Sequence, residues 1–157
     1  MSIGPTANRT EPQAFAKQPA KRSAKPRARR VVTPTPDKPR ILVVDDVADV
    51  TEMIALFLKH AGFEVRTANS ARTALQITSQ DQFDLIISDI GMPEMNGYDL
   101  AESLRKSEAY QATPMIAVTG YTEYDDRGRS LEAGFNAHLT KPINPSRLLS
   151  LIGDLLA

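Results

Sequence analysis

The chain has 157 residues and no cysteine, which leaves no disulfide framework and no thiolate metal site. Two histidines, His60 and His138, are too few for a His-rich zinc centre. No apolar run approaches the roughly 20 residues that span a bilayer, and the N-terminus lacks the apolar core of a secretory signal, so the cytoplasm is the expected location.

Net charge is zero, yet residues 1–40 carry ten Lys/Arg against two Asp/Glu, and residues 41–157 carry nine against seventeen, giving +8 and −8. Residues 1–39 also hold seven of the eleven prolines. Such a segment cannot bury enough apolar surface to offset the entropy of ordering, so it reads as a disordered basic tail before a folded domain over 40–157. Its KRSAKPRARR cluster, Lys21 to Arg30, is basic enough to touch nucleic acid weakly. With Phe15 the only aromatic nearby, base stacking is not supported, and a solvated extension is the plainer reading.

From Ile41 the pattern alternates. ILVVD is a short apolar, β-branched run suited to a strand buried on both faces. Val50, Met53, Ile54, Phe57, Leu58 and Ala61 recur at helical spacing, with Gly62 as the stop. FEVRTA predicts a second strand. Ala71, Ala74, Leu75 and Thr78 predict a second helix capped by Ser70. LIISD predicts a third strand, and Gly97 to Lys106 a helix with Leu100 and Leu104 inward. MIAVTG predicts a fourth strand, and Thr122 to Ala133 a helix stopped by Gly134. Within that helix Gly128 costs about 1 kcal/mol relative to alanine. NAHLTK predicts a fifth strand. Pro145 opens a last helix, with Asn144 as cap and Leu148, Leu151, Ile152 and Leu155 inward. Five βα units call for a parallel sheet with helices on both faces.

The polar residues fall at the strand ends: Asp45 and Asp46 after the first, Asp89 at the third, Thr119 and Gly120 at the fourth, Thr140 and Lys141 at the fifth. In a parallel sheet these ends share one edge, where ligands bind. Three carboxylates there call for a hard divalent cation with oxygen ligands, and Mg²⁺ suits a site that keeps several waters. A lesser reading has Asp45 and Asp46 merely capping the helix that follows.

The acidic pair in ILVVDD, the Asp-x-x-Met-Pro-x-x-x-Gly run from Asp89 to Gly97, the AVTG around Thr119 and the Lys-Pro of HLTKPI resemble the response-regulator receiver family of two-component signalling, over residues 41 to about 156. The resemblance implies a doubly wound, flavodoxin-like fold with strand order 2-1-3-4-5. It also implies that Asp89 is the phosphoacceptor, taking a phosphoryl group from a phosphohistidine. Mg²⁺ is then held by Asp45, Asp46, Asp89 and the carbonyl of Gly91, and the phosphoryl oxygens by Lys141, Thr119 and the backbone of Gly120. Pro93 and Gly97 shape the loop after Asp89, and receivers of this kind often have a cis bond before the proline matching Pro142. The family couples phosphorylation to movement of a hydroxyl, here Thr119, and of an aromatic side chain three residues before the lysine. That position is His138, a departure that puts the usual rotamer switch in doubt.

The expected role is therefore a stand-alone receiver that catalyses only its own phosphorylation and dephosphorylation and is not otherwise an enzyme. The expected partners are a sensor histidine kinase or histidine phosphotransfer protein and an unknown downstream target. Leu149 and Leu156, beside the inner stripe of the last helix, fit either a homodimer contact or leucines folding back over the sheet edge. The rival readings are a scaffold that binds protein without phosphate and a receiver piece of a hybrid histidine kinase.

Overall fold

Alternate residues of the first strand enter two different cores. The structure, a computed structural model, describes residues 38–120 and 124–157. In it Arg40–Val44 forms β1, with Leu42 and Val44 in one apolar cluster and Ile41 and Val43 in the other. This is the period-two geometry of a strand covered on both faces. The elements that follow are α1 (Ala48–His60), β2 (Glu64–Ala68), α2 (Ala71–Gln80), β3 (Leu85–Asp89), α3 (Gly97–Arg105), a 3-10 turn at Glu108–Tyr110, β4 (Met115–Thr119), α4 (Tyr124–Ala133), β5 (Ala137–Thr140) and α5 (Pro145–Leu156). The strands form one parallel sheet in the order β2-β1-β3-β4-β5. The sequence reading of five βα units and of that strand order agrees with the structure. The tail expected over 1–39 lies outside the described residues apart from Lys38 and Pro39. Tyr121 and the start of the expected fourth helix, Thr122 and Glu123, lie outside them too.

Helices α2, α3 and α4 cover one face, contributing Ala71, Ala74, Leu100, Leu104 and Ala133, and α1 and α5 cover the other with Ile54, Leu58, Leu148 and Ile152. Two predicted caps are present: Ser70 Oγ accepts from Thr73 N–H at 3.0 Å, and Asn144 Oδ1 from Arg147 N–H at 3.1 Å. Leu149 and Leu156 are half-buried against the same cluster as Leu148 and Ile152, the fold-back arrangement. The stripe expected on α1 is too broad. Ala61 is exposed and Met53 is 66% exposed, because α1 rests on the sheet through Thr51, Ile54, Ala55 and Leu58.

Gly97 is fixed by proximity. A Cβ at this position would strike the Asp89 carbonyl oxygen and come within 2.9 Å of Ile90 Cα. Its N–H donates to Ile90 O at 2.9 Å. Backbone cannot swing aside as a side-chain tip can, so Gly97→Ala is expected to cost about 1–3 kcal/mol in urea unfolding, the range for overpacking. The forced shift falls on the peptide that carries Asp89.

Tyr110 closes the opposite edge of the sheet. It is buried, and its hydroxyl donates to Asp81 O at 2.6 Å. Burial pushes this phenol up to about 12 from an ordinary value of 10. The folded value lies above the unfolded one, so this contribution to stability is complete below pH 10 and is lost as pH rises toward 12. An ultraviolet titration of the four tyrosines is expected to show one lagging the others, and Tyr110→Phe removes that component.

Candidate functional site

The end of β1 delivers Asp45, 2% exposed, to the C-terminal edge of the sheet. Its N–H donates to Ala68 O at 3.1 Å, in continuation of the β1–β2 pairing. Its Oδ1 accepts the Val47 N–H at 2.9 Å, so one carboxylate oxygen serves the turn that opens α1. The lesser reading, a capping role for the acidic pair, is not met: this oxygen closes the turn ahead of α1 at Val47, the residue that precedes the helix. Asp46 is exposed, and no side chain caps α1. Asp89 ends β3, 6% exposed, beside Val118 of β4.

Lys141, just past β5, ties these strands together. Its Nζ lies 3.1 Å from Asp45 Oδ2 and 3.4 Å from Asp89 Oδ1. Its backbone N–H donates to Thr119 O at 2.7 Å, and the peptide bond to Pro142 is cis. Thr119 itself is buried at the end of β4, alongside Thr140.

One ammonium faces three carboxylates. Oxygens of Asp45, Asp46 and Asp89 all lie within 4.8 Å of one another. Burial, and then the negative field of Asp45, push the Asp89 carboxyl above the usual carboxylate range, against the pull of Lys141. Burial works to lower Lys141, but the hydrogen bond it donates to Asp45 and the fields of Asp89 and Asp45 outweigh it and hold the ammonium above its ordinary value. The donor set is all oxygen, mostly anionic and short of positive charge, which fits a hard divalent cation such as Mg²⁺. A strongly buried carboxylate poised beside an ammonium is also suited to act as a nucleophile on an anionic group.

The remaining predicted residues take different positions. Gly91 is exposed in the loop two residues after Asp89, and Gly120 is exposed just past β4. Gly120 and Lys141 border an apolar groove of about 630 Å³ walled by Val50, Met53 and Phe57 of α1 and by Pro142 and Ile143. Its outward apolar wall explains why the α1 stripe looked broader than the buried face. His138 is not brought to the carboxylates; it pairs with Ala117 and lines a hollow between α4 and α5 with Arg147 and Leu151. Met92 and Tyr98 are buried packing residues. Two polar residues escaped the sequence reading. Asn69 bonds the main chain of Asp45, and Arg105 gathers carbonyls from two segments, Tyr110 to Thr113 and Gly134. Neither has a motif that marks it: Asn69 acts across 24 residues, and Arg105 joins a nearby loop to carbonyl groups 29 and 31 residues away. The capping box of Asn96 and Asp99 at the start of α3 was also missed, although its spacing was legible.

A family model described as the response regulator receiver domain matches residues 41–153. An uncharacterised 14.6 kDa protein of Leptolyngbya boryana is 38% identical over 112 residues, 71% of this chain and 86% of that protein. Of other curated relatives, such as a probable transcriptional regulator of Pyropia yezoensis at 37% identity, the chain spans about half the length. Among solved structures, the chemotaxis protein CheY4 of Vibrio cholerae is 34% identical, with a TM-score of 0.73 over 76% of this chain and 99% of that one. The receiver domain of the sensor histidine kinase PA1611 of Pseudomonas aeruginosa, with a magnesium ion coordinated in its active-site cleft, is 26% identical, with a TM-score of 0.71 over 76% of this chain and 98% of that one.

Proposed function

The chain belongs to the response-regulator receiver family of two-component signalling, and on that premise we propose that it is a phosphorelay acceptor in which Asp89 takes a phosphoryl group and switches protein binding. One observation carries this reading: a buried carboxylate ends β3 within reach of Lys141 and of two further carboxylates. An Asp89 oxygen attacks the phosphorus of a phosphohistidine. The phosphorus–nitrogen bond breaks, the imidazole leaves with its electron pair and takes up a proton, and an acyl phosphate forms. Hydrolysis returns the phosphoryl group to water and restores the carboxylate.

Asp45, Asp46, Asp89 and the Gly91 carbonyl are the proposed holders of Mg²⁺, as the magnesium-bound cleft of the PA1611 receiver supports. The ion, when bound, neutralises charge on the transferring phosphoryl group. Lys141 pairs with a phosphoryl oxygen, Thr119 donates its hydroxyl to another, and the Gly120 N–H assists. Thr119 and His138 are the proposed moving parts of the switch. The donor is a sensor histidine kinase or a histidine phosphotransfer protein, and the apolar groove beside Lys141 offers it a surface. Residues 1–39 serve as a basic extension of the receiver at 40–157, and the protein works in the cytoplasm.

Radiolabelled acetyl phosphate with Mg²⁺ is expected to label the protein to near one phosphoryl group per chain, and Asp89→Asn to abolish the label. Persistent labelling of the variant would dismiss Asp89 as acceptor. A second reading, a receiver segment of a hybrid histidine kinase, is favoured by the resemblance to kinase receivers. A phosphorylation-independent scaffold fits less well with three acidic groups and a lysine kept in reach of one another. Comparing pull-downs with and without beryllofluoride separates it.

A further inference from the structure

Three of the four charged side chains in the pocket are anchored. Asp45 accepts from Val47 N–H and Lys141, Asp89 contacts Lys141, and Lys141 holds both. The Asp46 carboxylate has no such tether: it is exposed, and among the described residues no hydrogen bond or ion pair holds it. What places it is therefore its backbone, which fixes the position from which the side chain starts. The peptide joining Asp45 to Asp46 is one planar unit, so fixing the Asp45 carbonyl fixes the Asp46 nitrogen.

Asn69, in the loop after β2, does this. Its Nδ2 lies 3.1 Å from Asp45 O and 3.3 Å from Thr51 Oγ1. A carbonyl oxygen can only accept, so the amide nitrogen must be the atom facing it. Thr51 Oγ1 donates its own hydrogen to Ala48 O at 2.8 Å, which leaves it free to accept from Asn69. Thr51 is 1% exposed and sits in the first turn of α1. The chain of bonds thus runs from the β2–α2 loop through Asn69 to the Asp45–Asp46 peptide on one side and to the rigid start of α1 on the other.

We propose that Asn69, braced by Thr51, is a positioning residue that presets the Asp46 carboxylate for the divalent cation; this rests on the reading of Asp45, Asp46 and Asp89 as the Mg²⁺ site. Asn69 touches neither the phosphoryl group nor the metal. Outer partners of this sort change metal affinity by about 10- to 100-fold when removed. Asn69 is exposed, so its loss spares the core.

The test is calorimetric titration of Mg²⁺ into the full chain without phosphodonor. Asn69→Ala is expected to weaken binding about tenfold while leaving the unfolding midpoint in EDTA unchanged. Thr51→Val is expected to weaken it less, Thr51→Ser to match the parent, and Thr51→Val in the Asn69→Ala background to add less than about twofold, because both act through one network. Exchange of the Val47 amide in metal-free protein is expected to quicken in Asn69→Ala. If the parent binds Mg²⁺ and Asn69→Ala stays within about twofold of it, the positioning role is overturned and the site stands. If the parent itself takes up no Mg²⁺, the underlying reading of the site is what fails.

Discussion

Arg105→Met is expected to lower the unfolding free energy by about 2 kcal/mol, with about 1 kcal/mol lost for each of the two stretches of part-buried carbonyls left without a charged donor. The Arg105 guanidinium addresses five oxygens from separate places. Nε and Nη2 reach Gly134 O at 3.1 and 2.7 Å, Nη2 reaches Asn136 Oδ1 at 2.9 Å, and Nη1 reaches Tyr110 O and Thr113 O at 2.7 Å and Gln111 O at 3.2 Å. No carboxylate is among them. Asn136 Oδ1 also accepts from Met115 N–H at 2.9 Å, so the network reaches the first residue of β4. One side chain thereby joins the end of α3, the approach to β4 and the end of α4. Methionine keeps the apolar stem and removes every donor. Arg105→Lys should recover about half the loss, since a single ammonium cannot serve acceptors on two sides of a planar fork. Urea denaturation of the three proteins checks the order. Equal stability of Arg105→Met and the parent would show that water satisfies these carbonyls instead.

Asp89→Asn is expected to make the metal-free protein more stable at neutral pH, although it removes the proposed phosphoacceptor. Burial and the Asp45 field hold the folded Asp89 carboxyl above its unfolded value. A group raised in this way contributes stability in acid, fully below the unfolded value, and loses it as pH rises through the folded value. At neutral pH the ionised Asp89 is therefore a cost that asparagine avoids. The gap between variant and parent should close as pH falls below the unfolded carboxylate range. Mg²⁺ should reverse the ranking. At a hundredfold excess over its dissociation constant a ligand adds about 2.7 kcal/mol to the parent, and the variant, short of one anionic oxygen donor, gains less. Thermal unfolding in EDTA and in Mg²⁺ gives both comparisons. A variant less stable than the parent in EDTA would mean that the ion pair of Asp89 with Lys141 outweighs burial.

These two residues also mark where a sequence can be read and where it cannot. Asp89 was legible because it terminates an apolar run, and topology sends all such ends to one edge. Asp45, Asp46, Thr119 and Lys141 followed from the same rule, and the family pattern then assigned their roles. The helix starts at Ser70 and Asn144 were legible because capping is settled within four residues. Arg105 and Asn69 were not, since their partners lie up to 31 residues away and their own neighbourhoods look like ordinary solvated helix and loop. Met53 misled for the opposite reason. Helical spacing counts apolar residues without telling a buried face from an open groove, and α1 carries both.

Lys141 and Asp45 meet from positions 96 residues apart, the first strand and the last. A polypeptide interrupted ahead of β5 would already possess the acids but not the base that balances them, and its sheet would lack an edge. Only a chain that extends through Lys141 carries an ammonium to this edge of the sheet. Charge balance among these side chains is therefore a late event in the order of synthesis, reached once β5 is in place.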